Sequence, residues 1–443
     1  YFADDQRPET GKETQRAGLD GERYRLGVRN RTDHGPRTYS LLRLETVSDA
    51  FMREDFFERE FRRGPQPENV YALTHRGDWY TVAALARYRL DSFFDHVNRL
   101  PEVAFDVMRL QLGSSSLYYE SRSRAAWLER VWARPAEEDD YRTLRADSEH
   151  ILYQPRQFFG WLNMTPRIGY RGTYYADTVE GGGDTLRSIA FGGVEASFKA
   201  YRILSEADGG LRHMAEPYLN YTYEREPEVL PEELLQFDSI DTLRGAHVTR
   251  AGMRNKLQTR RDGGVLDLLD LNLFIDIRMD PDDTERRIDN LFFELETRPA
   301  PGLRFQADGG YNLDQRQVDR LNSRLHLRHD PTFELSLEHR YVDTTVNLLS
   351  ATATARFGPR WAFNTFGRYS FESSRTEEQG FYVQRNLDCM VIRTGVSMLP
   401  GFTRTDGTRR DDEFRFLIEL WLTAFPDQAL AARSSYYAGE PGN

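Results

Sequence analysis

Apolar and polar residues alternate with a period of two along most of the chain. Between Phe333 and Tyr341, Phe333, Leu335, Leu337 and Tyr341 are separated by Glu334, Ser336, Glu338 and Arg340. From Leu269 to Ile277 every odd position is Leu or Ile, with Asp270, Asn272 and Asp276 between them. Phe414, Phe416, Ile418, Leu420 and Leu422 interleave with Glu413, Arg415 and Glu419. Successive side chains of a strand point to opposite faces, so each ribbon acquires one apolar and one polar face. Runs of this kind occupy 23–33, 37–47, 68–76, 78–92, 101–112, 115–132, 144–158, 160–176, 187–204 and 210–224. They continue over 246–261, 264–279, 288–299, 302–312, 319–329, 332–343, 346–357, 360–371, 380–397 and 411–425. They predict about 20 strands, many as long as the ~9–11 residues a tilted strand needs to cross a bilayer. Pro299-Ala300-Pro301-Gly302 and Phe357-Gly358-Pro359 read as tight turns, while Asp177–Leu186, Glu224–Gly245 and Asp280–Arg287 read as longer polar links. Ser48–Arg63 breaks the alternation and reads as a short helix opened by Ser48 or Asp49, packed on a barrel rim or inside it. A membrane-surface role is the alternative for that segment.

Composition narrows the choice between membrane and soluble β-proteins. Over 443 residues the hydrophobic share is 39% and the aromatic share 13%, with a mean hydropathy of -0.67. No run approaches the ~18 apolar residues of a spanning helix. A membrane barrel escapes that limit, because only every second residue faces lipid. Soluble sandwiches also alternate, but their strands are typically ~5–6 residues. The expected fold is therefore all-β: one large antiparallel, up-and-down transmembrane β-barrel over 1–443, embedded in outer-membrane lipid. A net charge of -11 leaves no basic face for nucleic acid.

Candidate chemistry is sparse. GxSxG, HExxH and P-loop patterns are absent from the sequence, and the chain is expected to be no enzyme and to carry no cofactor or metal. His213 and Glu216 point to opposite faces of a strand, which is poor geometry for joint acid–base work, whereas Arg212 and Glu216 share a face and are expected to pair. His326 and His329 fall on opposite faces. Asp238 and Asp241, with Ser239, lie in a long polar loop, where turn capping is the ordinary role and cation binding the alternative. Cys389 is the sole cysteine and excludes an internal disulfide; its register with Arg385 and Arg393 points it to the polar side of a strand.

The order of short motifs resembles that of the lipopolysaccharide-assembly family LptD, also called organic solvent tolerance protein (OstA). The resemblance runs through Arg23-Tyr24-Arg25-Leu26, Ser48-Asp49, Asp55-Phe56-Phe57, Pro65-Gln66-Pro67, Leu100-Pro101-Glu102 and Thr165-Pro166-Arg167. Its most specific pieces are Leu211–Tyr223, which holds Arg212, His213, Glu216 and Pro217, and Gln236–Arg260, which holds Phe237, Asp238 and Ser239. It closes with Asp388-Cys389 and the strand ending Leu422-Thr423-Ala424-Phe425-Pro426. The resemblance implies the C-terminal barrel of a Gram-negative envelope protein, lacking its periplasmic jellyroll and first strands. It implies transport of lipopolysaccharide to the outer leaflet, an LptE-like plug lipoprotein, and a periplasmic Lpt bridge reached through the missing N-terminal domain. Phe414, Phe416, Ile418, Leu420, Leu422 and Pro426 would then belong to the last strand and its lateral exit. Cys389 would either bridge to an upstream cysteine or remain a free buried thiol. Reading the residues alone leaves three other functions open: an outer-membrane porin or channel, marked by a constricting loop; a barrel phospholipase or protease; and an extracellular sandwich or adhesin.

Overall fold

The computed structural model describes residues 2–4, 22–53, 57–61, 64, 66–134, 138–205, 210–261, 263–279, 287–288, 290–403, 409–410, 412–424 and 430–438. Its contacts divide into two units, of which the first takes in Ala17–Ala196 and Asn220–Thr249, and the second Ser197–Leu219 and Arg250–Asn443.

In the first unit the strands are β1 (Phe2–Asp4), β2 (Glu22–Asp33), β3 (Thr38–Val47), β4 (Val70–Arg76), β5 (Tyr80–Arg87), β6 (His96–Gln111), β7 (Tyr118–Val131), β8 (Tyr141–Tyr153), β9 (Arg156–Phe158), β10 (Leu162–Tyr175) and β11 (Thr185–Ser197), with a single helical turn α1 (Glu58–Phe61). From β2 to β8 each strand pairs antiparallel with the next, and β8 pairs with β10. The alternation read in the sequence sets the two faces. Ile168 and Leu186 are 66% and 60% exposed on one face, whereas Thr173 and Arg187 on the other are 1% exposed. An apolar face left open beside a covered polar face is the inverse of a soluble sheet, and it is what a strand in hydrocarbon requires.

The second unit continues with β12 (Ala200–Ser205), β13 (Leu211–Glu224), β14 (Ala246–Arg261), β15 (Gly264–Arg278), β16 (Asn290–Ala300), β17 (Leu303–Asn312), β18 (Gln317–Asp330), β19 (Phe333–Val342), β20 (Val346–Phe357), β21 (Trp361–Ser370), β22 (Arg375–Asn386), β23 (Met390–Leu399), β24 (Phe402–Thr403), β25 (Arg409–Arg410), β26 (Asp412–Leu422) and β27 (Leu430–Ala438). The ends of β13 and β14 nearest their connecting loop belong to the first unit. From β15 to β23 each strand again pairs antiparallel with its successor, and β23 passes on to β26 and β27. Two tight turns show why the sequence breaks where it does. Gly302 sits at φ +75°, and a Cβ there would lie 1.9 Å from the carbonyl oxygen of Arg328, so only glycine fits. Gly358 serves the next such turn at φ +65°.

Most expected strands appear within a few residues of their expected ends, and the departures are local. The run 187–204 is two strands, β11 and β12, the run 144–158 takes in β8 and β9, and the run 380–397 is two strands, β22 and β23, joined by a turn at Leu387–Cys389. Asp388 adopts φ +67°, and the Asn386 side chain accepts its N–H at 3.0 Å, an Asx-type turn that needs no glycine or proline. Cys389 therefore lies in a turn, free and exposed, neither on a polar strand face nor buried. The link Asp280–Arg287 falls, apart from Arg287, outside the described residues. Of the expected helix at Ser48–Arg63, Met52, Arg53 and Glu58–Phe61 are helical, residues 54–56 and 62–63 lie outside the described residues, and Asp49 accepts the Phe51 N–H at 2.9 Å as the cap. No helix among the described residues is long and apolar enough to cross a membrane. The chain is thus all-β, of the large antiparallel, up-and-down transmembrane barrel class.

Candidate functional site

The polar face of the first unit is covered at two places by segments that fold back onto it. The smaller is formed by the described residues between 48 and 66. Arg23 donates to both carboxylate oxygens of Asp49 at 2.8 and 2.6 Å, with both side chains nearly inaccessible. Glu45 lies 3.0 Å from Arg25 and 3.0 Å from Arg53, and Arg25 reaches on to Glu60 at 2.5 Å. Burial raises the pKa of Asp49, but the hydrogen bonds from Arg23, Ser48 and the Phe51 N–H outweigh it and hold the carboxyl below its ordinary value.

The larger is the loop between β13 and β14. Its first half is fixed locally. Pro231 opens a single 3-10 turn over Pro231–Glu233, a position that loses nothing by lacking an N–H. Gln236 then donates to the carbonyls of Pro231 and Leu234 at 2.6 and 3.0 Å. The following Phe237-Asp238-Ser239-Ile240-Asp241 stretch is folded by its own carboxylates. Asp241 Oδ2 accepts the N–H groups of Phe237 and Asp238 at 2.8 and 3.0 Å, and Asp238 Oδ1 accepts that of Ile240 at 3.0 Å.

The same two carboxylates also hold the strands beneath. Arg145 on β8 donates to Asp238 at 2.9 and 2.8 Å and to Asp241 at 2.7 Å. Arg99 on β6 adds a 2.8 Å bond to Asp238 while also pairing with Glu102 at 2.6 Å. The Tyr175 hydroxyl donates to Asp241 at 2.9 Å, and Arg187 donates to the carbonyls of Asp241 and Ile240 at 3.1 and 2.6 Å. Asp241 is 0% and Arg145 4% exposed, so this is a buried network and not a surface pair. Beside it, Phe237 packs on Ala126 and Leu128 of β7 with Leu235 and Tyr141, and the Tyr141 hydroxyl donates to the Gln236 carbonyl at 2.7 Å. Burial pushes the Asp238 pKa up, but hydrogen bonding and charge from Arg145, the Ile240 N–H and the charge of Arg99 outweigh it and bring the carboxyl down to about 2.

Of the residues singled out in the sequence, Phe237 and Asp238 meet at this site. Ser239 is exposed and contributes its carbonyl, to Thr242 at 3.2 Å. Capping describes Asp238 and Asp241 correctly but covers only half of what they do. The β13 group lies elsewhere, in the second unit. Arg212 donates to Gln258 at 3.1 and 2.5 Å, while Glu216 meets Arg254 at 3.2 Å and Lys199 at 3.7 Å. The expected Arg212–Glu216 pair is corrected: each finds a partner on a neighbouring strand. His213 stands opposite Arg202, and the Pro217 carbonyl accepts the Phe198 N–H at 3.4 Å. His326 lies 3.8 Å from Glu334. Arg99, Tyr141, Arg145, Tyr175 and Arg187 went unrecognised. Alternation assigns several of them to a polar face, but nothing local says that a loop distant in sequence will cover them.

Phe414, Phe416, Ile418, Leu420 and Leu422 sit on β26, with Phe416 and Ile418 about half exposed on its apolar face. Because β26 is paired with β23 on one side and β27 on the other, it is not the last strand and offers no free edge. Pro426 lies outside the described residues.

Long antiparallel strands with an open apolar face have their backbone groups satisfied within bilayer only as a barrel, and the chain is an outer-membrane β-barrel protein. No family model matches the chain, and no curated protein does. Similar solved structures include the FrpB iron transporter from Neisseria meningitidis, at 9% identity and a TM-score of 0.39, covering 83% of this chain and 75% of that one. The siderophore receptor PirA from Acinetobacter baumannii is similar at 7% identity and a TM-score of 0.39, covering 93% of this chain and 80% of that one. The resemblance to LptD is corrected by these findings. Its motifs are short and scattered, they amount to no family match, and the neighbours named are iron and siderophore proteins. With it fall lipopolysaccharide as the substrate, the LptE-like plug and the periplasmic Lpt bridge. At such low identity and score, the neighbours assign no cargo to this chain.

Proposed function

We propose that this chain is a solute-conducting outer-membrane channel whose bore is narrowed by the loop of residues 225–245. The supporting observation is the docking of that loop on the polar face of β6–β11, through Arg145, Asp238 and Asp241. In an outer-membrane barrel the polar face meets water, so a segment held there reduces the open cross-section. A fixed constriction distinguishes a channel from a passive shell, and the buried network fixes this one. Transport of this kind makes and breaks no covalent bonds. The reading is tested by single-channel recording of the purified chain in planar bilayers. Discrete, ohmic steps are expected. Their absence from protein that shows heat-modifiable migration would remove the proposal.

A further inference from the structure

On the polar face of the second unit one constellation recurs: an aromatic ring, a guanidinium lying over it, and a carboxylate that holds the guanidinium. Arg254 lies 4.2 Å above the Tyr218 ring and 3.2 Å from Glu216. Arg250 lies 4.1 Å above Phe274 and donates to Asp276 at 2.7 and 2.8 Å. Arg393 lies 5.0 Å from Trp421 and 3.0 Å from Glu419. Ring and carboxylate together favour a planar or compact cation more than either alone, since the ring's quadrupole and the anion attract the same charge.

On β16 and β17 a further ring and two further carboxylates adjoin the Arg250–Phe274 constellation, with no guanidinium over that ring among the described residues. Phe292 stacks on Phe274 with ring centroids 5.2 Å apart. Glu294, two residues along the same face, lies directly opposite Asp308 in the strand register. Like charges facing across a sheet repel, and among the described residues no basic side chain lies within ion-pair distance of either, although the Arg250 guanidinium is near enough for its charge to act on Glu294. Among the described residues Glu294 accepts only the Asn272 amide, at 3.1 Å, and Asp308 only the Asn322 amide, at 3.0 Å. The neighbouring acids are satisfied: Asp270 by Lys256 at 2.8 Å, and Glu296 by Arg304 at 2.7 Å. Phe292, Glu294 and Asp308 line a cavity of about 470 Å³, large enough for a small organic molecule. Arg320 also lines it and forms no ion pair among the described residues.

We propose that this cavity binds a small organic cation, an amine- or guanidinium-bearing solute. Its charge takes the place that Arg254, Arg250 and Arg393 fill in the neighbouring constellations, and Arg320 accepts a carboxylate on the same molecule. L-arginine carries both groups and is the probe. Calorimetric titration into the full chain in detergent should show saturable binding of L-arginine and none of L-glutamate. Glu294→Gln and Asp308→Asn should each weaken binding at least tenfold, and the double variant should abolish it while keeping heat-modifiable migration. Absence of saturable binding, or binding unchanged in the double variant, overturns the proposal. So does a site that takes calcium in preference to arginine. The readout is an equilibrium titration without current, so a failure here and a failure of the channel reading are separate results.

Discussion

Replacing Arg145 with Met keeps an unbranched, though shorter, stem and removes the charge that fastens the loop. Three hydrogen bonds to Asp238 and Asp241 disappear at once. Arg99 still reaches Asp238, but among the described residues no other guanidinium bonds to the Asp241 carboxylate, which is fully buried and keeps only the more distant charge of Arg187. Removing one partner of a buried ion pair costs about 3–5 kcal/mol, because the remaining charge is left uncompensated. The apolar contact of Phe237 with Ala126 and Leu128 is untouched and contributes roughly 1.5–3 kcal/mol. The ionic loss is therefore the larger, and the docked population should fall by roughly two to four orders of magnitude relative to the open one. Two assays read this. Single-channel conductance should rise, and trypsin should cut faster at Arg225 or Arg244, whose side chains are 61% and 54% exposed near the ends of the loop. Adding Asp238→Asn and Asp241→Asn to the Arg145→Met background removes the stranded charges and should restore part of the docking. If R145M migrates as a folded barrel yet keeps the parent conductance and cleavage rate, the loop is not held by this network and the reasoning fails.

The same loop should respond to acid in a defined direction. Asp238 has its pKa lowered to about 2 from its ordinary value of 3.8, so its contribution, roughly 2 kcal/mol, is complete above the unfolded value and fades as pH falls toward the folded one. Loop cleavage by pepsin should accelerate between about pH 4 and pH 2, and Asp238→Asn should abolish that step. On the apolar face of β26, Ile418→Arg should destabilise the folded barrel by roughly 2–4 kcal/mol in urea titrations in lipid, whereas Leu417→Arg, on the polar face, should cost far less. Gly302→Ala should lower the temperature at which heat-modifiable migration is lost, since an added Cβ collides with the Arg328 carbonyl; an unchanged transition would show that this turn can shift freely.

The strands were legible because bilayer and water sort side chains by parity, and parity is visible in any window of eight residues. Leu269–Ile277 and Phe414–Leu422 show it plainly, with Phe274, Leu417 and Trp421 the apolar residues on the polar parity. Misreadings arose where parity continues through a turn. Asn386 to Cys389 contains neither glycine nor proline, and its reversal depends on an Asx contact and one left-handed aspartate, so two strands read as one. The site was legible only in part. Asp238 and Asp241 announce a capped turn within a few residues, which is local information. Their grip on Arg145 joins positions more than ninety residues apart, and no periodicity encodes which stretch of wall a loop will choose. The motif order that suggested lipopolysaccharide export failed for a related reason: short turn and strand-end signatures follow from how such strands must begin and stop, whatever they carry.

Asp241 uses one oxygen to wind its own turn and the other to clasp the wall. Internal order and attachment therefore meet in one carboxylate but on separate oxygens. A solute that drew Arg145 away would release the oxygen on the wall and leave the other bonded to Phe237 and Asp238, so the flap would lift with its turn still wound. Opening would then be the swing of a preformed piece.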